Sequence, residues 1–330
     1  MSDFHLYYHD DLDGTASGAV FLDFLRKRGD DLVSFTPLEY NSQLEANPGG
    51  WENHDFQHPF VLVDFQYHPK ADWWIDHHAS AFKKPEWQAS FKEDDQHHWD
   101  ASAPSACGLV ARFLHEHYGY ELSPAVADLV AVVDMDDSAA YPTLASALEL
   151  DSPGKQIQLL LGDTESKKDH GQYLAFREFL IKNFIVLGME KIVRLPEYQP
   201  RIKKLQEQRR VADALIQKLV SLQGKVIYVE KNAATTHAAR WAPYVVYPEA
   251  PYSVQISDKG GEFKIGIGSN KWSKEKSTVD LGALARSYGG GGHRGVGALV
   301  VKSKSEAMRI AKEIIGVLNA PDVSSRGSDR

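Results

Sequence analysis

Cysteine is almost absent from this chain. Cys107 is the only one in 330 residues, which excludes an intrachain disulfide and fits a reducing, cytoplasmic setting. Long apolar runs are missing too. The longest, such as residues 126–133, are broken by acids and fall short of the ~20 residues of a membrane span. The opening residues carry neither a basic stretch nor an apolar core, so no signal peptide is expected. Positive charge is in deficit: 37 Lys and Arg stand against 45 Asp and Glu, a net charge of −8. That balance argues against a surface for long duplex DNA, which needs clustered cations to neutralise phosphates. It leaves room for a small phosphorylated substrate held through metals. Apolar material is plentiful at 43% of residues, enough for about two domains at roughly 150 residues each.

Three zones follow along the chain. Residues 1–150 alternate short apolar runs with helical patterns. Residues 4–8, 60–63 and 73–75 read as strands, and 15–28 and 105–118 as helices. Strands alternating with helices predict a parallel sheet. The polar stretch 83–100 reads as a surface excursion. Residues 151–222 are helical by periodicity, with Pro196 and Pro200 between the two main helices. Residues 223–318 open with a strand at 225–230. They continue as a hairpin, 252–257 and 263–268, turned by Asp258-Lys259-Gly260-Gly261. A helix at 281–288 leads into a glycine run, and the polar tail 321–330 reads as disordered.

Acids and histidines cluster at the ends of these runs. His9-Asp10-Asp11-Leu12-Asp13-Gly14 follows the first strand. Asp64 ends a second apolar run, and Asp76-His77-His78 ends a third. Asp134, Asp136 and Asp137 lie at the end of the apolar run 126–133. In an open parallel sheet, ligands gather beyond the carboxyl ends of the strands, so residues far apart in sequence would meet at one edge. In an extended segment, His9, Asp11 and Asp13 would face one side. So many carboxylates held close would raise one another's pKa unless cations neutralise them. Mixed imidazole and carboxylate ligands suit Mn, Co or Zn, and an all-oxygen set would suit Mg or Ca.

These motifs, in this order, resemble those of the DHH phosphoesterase superfamily with a C-terminal DHHA1 domain, the group of RecJ-like exonucleases, nanoRNases and cyclic-dinucleotide or pAp phosphatases. The resemblance covers most of the chain. His9-x-Asp11-x-Asp13-Gly14 resembles the first motif in its RecJ-like spacing, Asp64 the second, and Asp76-His77-His78 the eponymous triplet. Asp134 is the best match to the fourth, with Asp136 and Asp137 close by. Gly289-Gly290-Gly291-Gly292-His293 resembles the DHHA1 glycine motif. The resemblance implies an α/β fold with a parallel-sheet DHH domain over 1–190, a helical linker over 191–222 and a smaller α/β DHHA1 domain over 223–320. The active-site cleft would lie between the two domains.

It also implies roles. His9, Asp11, Asp13, Asp64, His77 and Asp134 would hold two divalent metals, Mn2+ first among Co2+, Mg2+ and Zn2+, with Asp64 bridging. His78 would sit behind the metal ligands or contact the scissile phosphate, and Asp76 would orient the adjacent histidine. Gly289, Gly290, Gly291 and Gly292, with His293, Arg294 and Lys271, would hold substrate. Lys271 stands where relatives often carry a phosphate-gripping arginine, and it lacks the arginine fork. The implied function is hydrolysis of phosphate esters in short oligonucleotides or small nucleotides. Polyphosphate or another non-nucleotide phosphate, or a silent metal-binding regulator, is the alternative. No membrane partner is expected, and the oligomeric state, a homodimer included, stays open. Plainer readings hold elsewhere: His97, His98, His115 and His117 as surface histidines, Trp73 and Trp74 as packing, and Cys107 as a small buried residue.

Overall fold

The first three apolar runs form strands buried on both faces, as parallel strands covered by helices must be. The computed structural model describes residues 2–39, 50–163, 165 and 168–321. In chain order, β1 (Asp3–His9) leads into α1 (Leu12–Lys27) and β2 (Asp31–Leu38). β3 (Phe60–Val63), β4 (Trp73–Asp76), α2 (Pro85–Ser90) and β5 (His97–Trp99) follow. Helices then dominate: α3 (Ala106–Tyr118), α4 (Pro124–Asp137), α5 (Leu144–Leu148), α6 (Pro153–Leu161), α7 (His170–Leu187), α8 (Met189–Val193) and α9 (Gln199–Leu219). The remainder is β6 (Ser221–Gln223), β7 (Val226–Glu230), β8 (Tyr252–Asp258), β9 (Phe263–Ser269), α10 (Leu281–Arg286), β10 (Gly291–His293), β11 (Val296–Val301) and α11 (Lys304–Asn319).

The chain divides into two units, residues 1–141 with 150–205, and 142–149 with 206–330. The division falls inside α9, not at a separate 191–222 linker. The reason is packing: Met189, Ile192 and Val193 of α8 belong to the core of the first unit.

In the first unit the sheet order is β2-β1-β3-β4-β5, and every pairing is parallel. Side chains alternate between two cores. Leu6, Tyr8, Val61, Val63, Trp73 and Ile75 join the large helical core with α1 and α3. Tyr7, Phe60, Leu62 and Trp74 face the other way, onto Trp51, Phe56 and Phe65. This period of two is what makes the runs read as continuously apolar. The polar stretch expected as an excursion supplies α2 and the edge strand β5. Three residues of β5, with the sequence His-His-Trp, carry too weak a pattern to be seen from sequence. Trp73 and Trp74 are core residues, and Cys107 is buried.

The second unit is built on a six-stranded sheet of order β10-β11-β9-β8-β7-β6. The expected hairpin is β8–β9. Tyr252, Val254, Ile256, Ile265, Ile267 and Leu299 pack under α10 and α11. The alternate residues of β8 and β9, Ser253, Gln255, Lys264, Gly266 and Gly268, line a cavity instead. Of the tail, residues 322–330 lie outside the described residues. Among the described residues, no helix is long and apolar enough to cross a membrane.

Candidate metal centre

From β1 the chain moves to β2 on one side and returns to β3 on the other. The carboxyl ends of β1 and β3 therefore flank a switch point, where a parallel sheet leaves a crevice open. His9 closes β1, and Asp64 directly follows β3. Asp76 closes β4 and carries His77 and His78 beyond the sheet.

Asp11 and Asp13 reach this crevice by a route other than an extended run. Asp11 is the N-cap of α1, and its carboxylate accepts the Gly14 N–H at 2.9 Å. Asp13 lies in the first turn of α1. It accepts the backbone N–H of Ala106 at 2.8 Å and of Cys107 at 2.7 Å, at the start of α3. One carboxylate thus sits at the positive ends of two helices. The tight turn explains Gly14, where a Cβ would lie 2.2 Å from the His9 carbonyl oxygen. Asp64 adopts a φ of 57°. Asp and Asn tolerate this left-handed region better than most residues, and such outliers cluster at functional sites.

Two triplets of donor atoms result, His9 with Asp64 and His78, and Asp13 with Asp64 and His77. Within each triplet the atoms lie no more than 4.8 Å apart. Asp64 belongs to both. The Nδ1 of His77 is 3.1 Å from the Ala103 carbonyl oxygen. A carbonyl only accepts, so Nδ1 carries the proton. Nε2 then turns a lone pair toward Asp13 Oδ2 at 3.5 Å, Asp64 Oδ1 at 3.7 Å and Asp137 Oδ2 at 3.5 Å. All three separations exceed hydrogen-bonding range. Among the described residues, this Nε2 and both oxygens of Asp64 are buried with no hydrogen-bond partner. A buried lone pair facing carboxylates is costly unless a cation lies among them. The donors are imidazole nitrogens and carboxylate oxygens, which suit divalent Mn, Co or Zn. The residues therefore fit the metals that the sequence implies.

The ionisation pattern has the same origin. Burial, then the neighbouring carboxylates, push Asp13 and Asp64 well above the usual carboxylate range. Burial also raises Asp137. Burial opposes ionisation of Asp11, but the His9 imidazole, whose Nδ1 lies 3.0 Å from Asp11 Oδ2, outweighs it and holds Asp11 at about 2. Burial likewise opposes charge on His78, yet Asp76 Oδ1, 2.8 Å from its Nδ1, raises it to about 10. Neighbouring acids of one sign thus divide into proton-holding and ionised members.

No family model and no curated protein matches the chain. Solved structures do. The pGpG-specific phosphodiesterase PggH from Vibrio cholerae superposes with a TM-score of 0.66 at 19% identity, covering 96% of this chain and 99% of that one. Manganese-bound RecJ from Thermus thermophilus superposes with a TM-score of 0.54 at 15% identity. That match covers 97% of this chain and 53% of RecJ, so the chain spans about half of that protein. A further manganese-bound exonuclease RecJ matches with a TM-score of 0.50 at 14% identity, covering 97% and 91%. The chain shares the fold of these proteins.

Within this fold, His9, Asp11, Asp13, Asp64 and His77 come together, and Asp134 does not join them. Its carboxylate accepts the Ser105 hydroxyl at 2.5 Å, against the first turn of α3. Asp136 pairs with Lys155 at 3.0 Å and accepts from the Tyr141 hydroxyl. Asp137, nearly one helical turn beyond Asp134, is the acid that reaches His77. Sequence placed all three acids close together after one apolar run. Only the rotation of α4 against α3 decides which of them faces the crevice. The partner of Asp76 also differs from the expected adjacent histidine: it is His78, while His77 takes the Ala103 carbonyl. A cavity of about 400 Å3 beside the centre is lined by Asp10, Asp11, Asp13, Asp136, Asp137 and Gln158, among others.

The expected substrate residues of the second unit divide differently. Packing accounts for part of the glycine run: a Cβ on Gly290 would lie 2.2 Å from the Ala298 carbonyl oxygen, and one on Gly292 would lie 2.2 Å from that of Val296. Gly289 lies in the turn after α10, and Gly291 opens β10. His293, Arg294 and Lys271 are exposed. A cavity of about 280 Å3 in this unit is lined by Lys231, Arg240, Trp241, Lys259, Lys264 and Gly266, among others. None of residues 289–294, nor Lys271, lines it, and among the described residues its wall carries no Asp or Glu. Burial lowers Lys231 to about 8 and depresses Lys264 as well. The one sequence signal for this cavity was the Lys264-x-Gly266-x-Gly268 alternation, which leaves one sheet face almost bare.

Proposed function

We propose that this chain is a metal-dependent phosphoesterase that hydrolyses phosphodiester or phosphomonoester bonds in short oligonucleotides or small nucleotides. It is a phosphoric ester hydrolase working with two divalent ions, Mn2+ foremost. One observation carries the reading: Asp64 presents two buried oxygens without hydrogen-bond partners to two adjacent donor triplets. Two such ions, when bound, supply an activated water and neutralise charge developing on the phosphoryl oxygens.

The residues divide the work. His9, Asp11 and Asp64 would hold one ion, leaving His78 of the first triplet to the substrate. Asp13, Asp64, His77 and Asp137 hold the other. The Ala106 and Cys107 N–H groups orient Asp13, and the Ala103 carbonyl fixes the His77 tautomer. His78, its Nδ1 held 2.8 Å from Asp76 Oδ1, would turn its other ring nitrogen toward a phosphoryl oxygen of the substrate. On the second unit, the cavity with Lys231, Arg240 and Lys264 accepts a substrate phosphate. Trp241, with the Arg240 guanidinium 4.2 Å over its ring, offers a face on which a base can stack. His293, Arg294 and Lys271 are further phosphate contacts. The net charge of −8 keeps the substrate short.

The test is Mn2+-dependent hydrolysis across pGpG, pAp, a cyclic dinucleotide, short RNA, short single-stranded DNA and polyphosphate. Cleavage of a nucleotide class is expected, with Lys264→Glu raising KM for it while kcat stays within about twofold. Cleavage of polyphosphate alone would replace the nucleotide reading. Silence throughout, with Mn2+ demonstrably bound, would remove the enzymatic one.

A further inference from the structure

Between His9 and Asp11, two residues proposed to hold one ion, stands Asp10. Its side chain points the opposite way, into the protein, and is fully buried. It meets Arg177 from α7, also fully buried, with Nε 2.8 Å from Asp10 Oδ1. The Tyr173 hydroxyl donates to the other Asp10 oxygen, and its ring lies 3.7 Å from the guanidinium carbon. Arg177 Nη2 donates at 2.8 Å to the carbonyl of Leu161, the last residue of α6. The backbone N–H of Asp10 bonds to Leu38 at the end of β2, at 2.9 Å. One arginine thus joins the His9–Asp11 turn to the end of α6. Both segments line the acidic cavity beside the centre, through Asp10 and Asp11 on one side and Gln158 and Leu161 on the other.

Stability alone is a poor account of this arrangement. A buried ion pair recovers little more than the desolvation of its two charges, and apolar residues of similar volume often replace one at no loss. The fit here is also incomplete, because Arg177 Nη1 is buried without a hydrogen-bond partner. What the pair supplies is direction. With Asp10 drawn inward, its neighbours on either side are turned out toward the crevice. An arginine fork can hold Asp10 and the Leu161 carbonyl together, which the single ammonium of a lysine does poorly.

We propose that Arg177 is a positioning residue for the metal centre, which, through the buried Asp10, fixes the turn that presents His9 and Asp11. This rests on the dinuclear reading given above. The role predicts that metal affinity and fold stability separate. The test is calorimetric Mn2+ binding on the full chain, with thermal melts in EDTA alongside. Two variants serve: Arg177→Lys, and the apolar triple Asp10→Leu/Tyr173→Phe/Arg177→Met.

The triple variant is expected to melt in EDTA close to wild type, yet to bind Mn2+ about 10- to 100-fold more weakly, the usual cost of losing an outer support. Arg177→Lys keeps the charge, melts lower, and weakens binding in the same range. If the triple does not fold, Arg177→Lys decides by itself. Wild-type Mn2+ affinity in a folded variant, whatever its melting temperature, overturns the positioning role and leaves the pair structural. Wild-type protein that binds no Mn2+ overturns the dinuclear reading, and the positioning role with it.

Discussion

Asp64→Asn changes one buried oxygen to an amide and removes one charge. The left-handed φ of 57° makes asparagine the right replacement, since it tolerates that conformation as well as aspartate does. Two effects of opposite sign follow. With Mn2+, both donor triplets lose their shared carboxylate. If that carboxylate is worth about 4 kcal/mol of transition-state stabilisation through the ions it holds, the rate falls about a thousandfold. Without metal, the substitution removes a buried carboxyl that must hold a proton above its ordinary range and that no hydrogen bond satisfies, and relief of about 1–2 kcal/mol is expected. At about 2–4 °C per kcal/mol for a unit of this size, that raises the metal-free melting temperature by about 2–8 °C. The assay is a pair of melts, in EDTA and in Mn2+, with turnover on the best substrate of the panel. Expected are a higher melt in EDTA, a much smaller rise on adding Mn2+, and near-complete loss of turnover. A variant that melts below wild type in EDTA and gains the full wild-type increment from Mn2+ would refute this reasoning.

Asp137→Asn and Asp134→Asn separate the two candidates on α4. The first should lower Mn2+ affinity and turnover by at least about tenfold with little change in metal-free stability. The second should cost about 1–2 kcal/mol through its bond to Ser105, with turnover largely kept; calorimetry and melts distinguish them, and the reverse outcome would restore Asp134. The pH dependence of the metal-free protein has a definite sign. Asp13 and Asp64 hold their protons more tightly folded than unfolded, so stability falls as pH rises from about 4 through their raised values. His78, raised to about 10, adds a loss of the same sign from about pH 6.5 upward. Asp11 acts oppositely, but only as pH falls below about 4 toward about 2. Melts in EDTA should therefore decline from about pH 5 to 9 while the Mn2+ increment grows, since binding releases those protons. Parallel curves would contradict the proton-holding assignment.

The sequence by itself determined the alternation of strands and helices in the first unit and the hairpin of the second. Continuous apolar runs such as 60–63 have one low-energy fate when both faces are covered. It also placed most of the candidate residues, because His9, Asp64 and Asp76 sit at strand ends, and a parallel sheet brings strand ends to one edge. It was silent where information is shared between distant segments. The short edge strand β5 gains its structure from pairing with β4. The choice of Asp137 over Asp134 depends on how α4 is rotated against Ser105 and Gly108. The cap that puts Asp11 and Asp13 at a helix start breaks the extended geometry their spacing suggests. Asp10 and Arg177 stand 167 residues apart, and the cationic cavity draws Lys231, Arg240 and Lys264 from separate elements. Local pattern fixes which backbone forms and where its ends lie. Which side chains then face one another is settled only by packing between elements, and that determines which donors are brought together, which acid holds a proton and which is turned away.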